Sequence, residues 1–160
     1  MMLGIAVTFA VRALLVALFL PFSALDKILN TDDALRQCGQ AVPNRALAKL
    51  FLAGGFAIEV FMSMGVLTGI ADRLAAVVLA AYCATTALLW KQFWHAPDFR
   101  LKGPSRGRDL FWDFLKNLAL AGGFLLLTFG ANADGVSQFL HDPLGSTHPY
   151  AVHRQADFAP

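Results

Sequence analysis

The chain has 160 residues, of which 57% are hydrophobic and only 15% charged, with a mean hydropathy of +0.55. Ordinary soluble domains carry roughly 25% charged residues, and one of this size could not hide so much apolar surface, so a soluble enzyme is excluded. The net charge of +2 is too small to argue for a nucleic acid, and none is expected as a partner.

Leu3 to Leu25 is the first of four apolar stretches; Leu47 to Ile70, Leu74 to Trp90 and Phe111 to Phe129 follow. A helix needs roughly 20 mostly apolar residues to cross a hydrocarbon core of about 30 Å. Inside lipid every backbone polar group must be satisfied within the segment, so such spans are helices. The pattern predicts an all-α, integral membrane four-helix bundle over residues 1–130, with 131–160 as an exposed polar tail. The first stretch carries Arg12, lacks a basic leader and outruns the apolar core of a signal peptide, so it is read as a retained span.

Between the first two spans, Thr31 is expected to cap a short surface helix over residues 32–38, with Gly39 as its stop and Pro43 as a separator. Helices associate in lipid through small residues, which let backbones approach. The second span offers Gly54, Gly55, Gly65 and Gly69, the third Ala76, Ala80, Ala84 and Ala87, and the fourth Gly122 and Gly123. Trp90, Phe93, Trp94 and His95 close the third span, and Phe111 and Trp112 open the fourth; together they mark one membrane interface. Lys102, Arg106 and Arg108, in the loop between them, read as attraction to anionic lipid. In the tail, Asp134 to Leu140 suggests a short amphipathic turn, and the spacing of His141, His148 and His153 matches no usual zinc pattern. No metal is expected.

Ten of the thirteen basic residues fall on the two long loops or the helix ends beside them, against Arg73 and Arg154 on the other face. Basic residues near spans favour the cytoplasm. Both long loops are therefore expected in the cytoplasm and both termini in the periplasm, in a bacterial inner membrane.

Arg12 and Glu59 lie inside spans. Counted from Asp26 and Lys49, their depths differ by only roughly 5 Å at 1.5 Å per residue. Since an unpaired mid-bilayer charge costs about 2.5–3.5 kcal/mol, the two are expected to pair, as a polar site or as a pin between helices. Lys27 closes the first span, where its ammonium can snorkel outward, and Asn117 is expected to bond across to another helix. Cys38 and Cys83 form no C-x-x-C, and a disulfide between a loop and mid-membrane would need Cα atoms within about 7 Å. Cys83 reads as a small core residue. No P-loop, G-x-S-x-G or H-E-x-x-H motif occurs, and no haem ligation is expected.

Several pieces together resemble the DoxX family of small bacterial four-helix membrane proteins. They are the arginine of VRALLVALFL, the lysine of ALDKI, EVFMSMGVLTGIADR, the aromatic and histidine end KQFWH, and FLKNLALAGGFLLL, spanning roughly residues 7–130. The resemblance implies a four-helix bundle associated with membrane oxidoreductase systems, including quinone-coupled thiosulfate oxidation and protection against oxidative or thiol stress. The fold also looks similar to that of vitamin K epoxide reductase, but this chain lacks its cysteine pair. The chain is thus expected to be the membrane subunit or partner of a quinone-linked oxidoreductase, with no intrinsic cofactor, a quinone as possible ligand, and no catalysis by the single chain. The alternative is a non-catalytic anchor or assembly factor. Arg12 and Glu59 are the first candidate site residues, followed by Lys27, His95 and Asn117.

Overall fold

The computed structural model describes residues 2–130 and 134–151. Among these residues all regular structure is helical, and four helices are long and apolar enough to cross a membrane. We label them α1 (Met2–Leu29), α3 (Arg45–Thr68), α4 (Asp72–Trp90) and α5 (Arg106–Phe129), with two shorter helices, α2 (Thr31–Ala41) and α6 (Asp134–His141).

Two of the long helices are irregular at one level. In α1 the residue before Pro21 is driven out of the helical region, leaving Leu20 at φ −121° and ψ 108°. The segment Leu18–Ser23 is wound more widely than an α-helix, and so is Ile58–Met62 in α3. Such widened turns re-aim side chains and concentrate at functional sites. They bring Ser23 and Glu59 within hydrogen-bond distance, at 2.9 Å.

The helix ends follow local chemistry. Asn44 caps α3 by accepting from the Ala46 and Leu47 amides at 2.9 and 3.2 Å. Gly69, at φ +78°, ends α3 in the left-handed conformation that glycine tolerates. The fourth span begins at Arg106 rather than Phe111 because Ser105 and Asp98 cap it. Ser105 Oγ accepts from the Arg108 amide, and the Asp98 carboxylate accepts from the amides of Arg106 and Gly107. A Cβ at Gly107 would lie 2.7 Å from the Phe99 Cα, so only glycine fits there. The expected cap at Thr31 is not made. Its hydroxyl instead donates back to the Lys27 carbonyl at 2.9 Å, and α2 runs through Gly39 to Ala41.

Val16, Phe19, Val66, Leu79, Cys83 and Phe124 form the buried core, and Leu3, Leu14, Leu50, Phe61 and Leu126 face outward. Small residues admit the close contacts: a Cβ on Gly65 would meet Ala75 at 2.9 Å, and one on Gly123 would meet Leu15 at 3.0 Å. Gly54 and Gly122 face open space instead. At one end Trp90 Nε1 donates to the Gln37 carbonyl at 3.0 Å, tying α2 to α4, and Phe93 packs with Phe99, Phe111 and Phe114. At the opposite end the segment after α6 folds back over the α3–α4 turn. There Tyr150 donates to the Leu67 carbonyl, and Pro149 packs against Gly69. The tail is therefore not uniformly exposed: Ser146, Thr147, Pro149 and Tyr150 are half-buried. His153 and Arg154 lie outside the described residues.

Candidate functional site

Arg12 and Glu59 do not pair with each other. Arg12 Nη1 lies 2.7 Å from Asp72 Oδ2 and donates to the Val66 carbonyl at 2.7 Å, while Nη2 donates to Thr147 Oγ1 at 2.7 Å. Thr147 closes the cluster by donating its amide to Asp72 Oδ1 at 2.8 Å and its hydroxyl to Oδ2. Arg12 is thus level with Val66, seven residues beyond Glu59 and about 10 Å further along α3. Depth counted from Asp26 and Lys49 fails because those residues are not level. Lys27, beside Asp26, reaches the tenth residue of α3 beyond Lys49.

Glu59 belongs to a second cluster at the other end of the core. Its Oε1 accepts from Lys27 Nζ at 2.7 Å, Ser23 Oγ at 2.9 Å and the Tyr82 hydroxyl at 2.8 Å, and its Oε2 accepts from Lys27 at 2.9 Å. Lys27 also donates to Ser23 at 2.7 Å, which uses all three of its N–H groups. Glu59 is 2% exposed and the Lys27 side chain 19%. Burying a carboxylate without partners costs several kcal/mol, and four hydrogen bonds from three donors answer that cost. Gly55, one turn before Glu59, lets the Tyr82 ring approach: a Cβ there would lie 3.2 Å from the phenol oxygen.

This second cluster forms one end of a cavity of about 1100 Å³ between α1, α3, α4 and α5, which α2 covers with Ala34, Gln37 and Cys38. Phe19, Phe51, Ile58 and Leu120 supply apolar wall, and Thr86 and Asn117 a second polar spot. Thr86 lies 3.4 Å from Asn117 Oδ1, and Asn117 Nδ2 donates to the Asp113 carbonyl at 2.9 Å, leaving one amide N–H over. An amphiphile with a small polar head and an apolar body fits such a space in size and chemistry.

Of the residues singled out in the sequence, Lys27, Glu59 and Asn117 line this one cavity. Arg12 belongs to the other cluster, and His95 is exposed in the aromatic girdle, with its Nδ1 3.1 Å from Gln92 Oε1. Sequence reasoning missed Ser23, Tyr82, Asp72 and Thr147. Asp72 had a signal, since an acid in the shortest loop sits at the edge of two spans, within reach of an arginine inside a neighbouring one. Both cysteines are free and buried, and burial pushes the Cys38 thiol upward from its ordinary range. Among the described residues no group of His, Cys, Asp and Glu has the arrangement to hold a metal ion. Comparison with protein-family models, with curated proteins and with solved structures returns no match.

Proposed function

We propose that the chain is a DoxX-like integral membrane four-helix bundle that binds a quinone as the membrane subunit or partner of a quinone-linked oxidoreductase. The observation that carries this reading is the large, mostly apolar cavity with Glu59, Lys27 and Tyr82 at one end and Asn117 on its wall. A quinone brings a carbonyl-bearing ring that takes up electrons and protons, on an apolar tail. In this chain the spare Asn117 N–H offers a donor to a carbonyl oxygen, and the Glu59 carboxylate offers an acceptor to the hydroxyl form. The apolar wall excludes water from the ring. Electrons come from a partner protein.

Trp90 lines the cavity, and quinones quench indole fluorescence, so binding can be read directly. In the purified protein with Trp94 and Trp112 changed to Phe, a short-chain quinone should quench Trp90 saturably. Asn117→Ala should weaken that quenching about tenfold, the loss of one hydrogen bond in a dry site. Linear, unsaturable quenching in both proteins would leave the anchor or assembly role in its place.

The proposed orientation puts the basic loops in the cytoplasm. A reporter inserted at Pro104 should score as cytoplasmic and one joined after Pro160 as periplasmic; the opposite pair of results inverts the orientation.

A further inference from the structure

Three lysines line the cavity, and only Lys27 is held by a buried carboxylate of its own, while Lys91 and the exposed Lys116 share Asp113. Lys27 lies 2.7 Å from Glu59, Lys91 3.1 Å from Asp113, and Lys116 3.4 Å from the other oxygen of Asp113. Asp26 and Asp33 also lie on the lining, and Asp33 is paired with Arg36. The innermost cation is also the most completely engaged, since every N–H of Lys27 is directed at Glu59 or Ser23.

Membranes offer two broad kinds of single-headed amphiphile: acids such as fatty acids, and neutral molecules with hydroxyl or carbonyl heads. A carboxylate drawn to the buried end of this cavity would find Lys27 already engaged and would meet the Glu59 carboxylate there. Desolvating an ion without a partner costs several kcal/mol. A neutral head loses much less on leaving water, and finds a donor at Asn117 and an acceptor at Glu59. Specificity can come from such a penalty on the wrong ligand as much as from contacts to the right one.

We infer that the cavity selects neutral, hydrogen-bonding amphiphiles over anionic ones, and that Glu59 is the specificity-determining residue because it occupies Lys27. This rests on the reading of the cavity as an amphiphile site, and it names the class of head group admitted. Removing the Glu59 charge would leave a lone ammonium at the end of an apolar pocket, which is the arrangement that captures a fatty acid.

The test compares two probes with the same chain, 11-bromoundecanol and 11-bromoundecanoic acid, whose bromine quenches a nearby indole. The protein carries Trp90 as its single tryptophan and sits in zwitterionic nanodiscs at pH 8, where the acid is ionised. The alcohol should quench at a concentration at least tenfold below that of the acid, after correction for partitioning into empty nanodiscs. Glu59→Gln should bring the acid level with the alcohol or below it. The double variant Lys27→Met with Glu59→Gln, which carries neither charge, should restore the preference for the alcohol even if Glu59→Gln proves too unstable to assay. Equal binding of acid and alcohol by the unmodified site overturns the selectivity. So does an unchanged ratio in Glu59→Gln. If neither probe saturates, selectivity and the quinone reading fall together. If the alcohol is selected but no quinone binds, only the quinone reading falls.

Discussion

Asp72→Asn should lower the unfolding free energy of the detergent-solubilised protein by about 3–5 kcal/mol, the range for stranding one member of a buried ion pair. Arg12 would keep its bonds to Val66 and Thr147 but lose its only countercharge within 4 Å among the described residues. Arg12→Met should cost a similar amount by stranding Asp72. The double variant should recover much of the loss, because a neutral asparagine beside a methionine leaves no charge to desolvate. Denaturation in mixed micelles measures all three. Additive losses would dissolve the pair, and so would full stability in either single variant. Combining Arg12→Met with Glu59→Gln should show no such recovery, since those residues sit in different clusters.

Lys27→Met should destabilise the protein by about 2–3 kcal/mol, somewhat less than the loss at Asp72. Glu59 is almost fully buried, but Ser23 and Tyr82 still donate to it when Lys27 is gone. Tyr82→Phe removes one neutral donor and should cost about 1 kcal/mol. In Lys27→Met with Tyr82→Phe the losses should exceed their sum, because each donor partly covers for the other. Strict additivity would mean that the carboxylate is solvated from the cavity rather than held by the three side chains.

The four long helices were legible because hydropathy sums over many residues and survives local irregularity. Their ends moved where local hydrogen bonding outweighs composition. Charged Arg106, Arg108 and Asp109 read as loop, yet Asp98 and Ser105 cap that turn and make it helical. The partners of the buried charges were not legible. Which residue meets which depends on the relative slide of two helices, and a depth count errs by turns when a lysine bends inward from the interface. The widened turns around Pro21 and Glu59 shift that register further, and only the proline announces itself in the sequence. Thr147 gave no signal at all, because its bond to Arg12 joins positions 135 residues apart.

That separation bears on how the protein is made. When the first span leaves the ribosome, the acid that neutralises its arginine lies 60 positions downstream, and the threonine that completes the cluster comes last of all. A helix with an 18-residue stretch of mean hydropathy 2.4 can carry one lone cation into the bilayer, but it enters in a state that invites rescue. Insertion and assembly are therefore separate events in this chain. Until the α3–α4 hairpin delivers the carboxylate, the first helix carries a guanidinium without its countercharge. A ribosome stalled before that hairpin emerges leaves the nascent chain dependent on whatever membrane chaperone can shelter a stray positive charge.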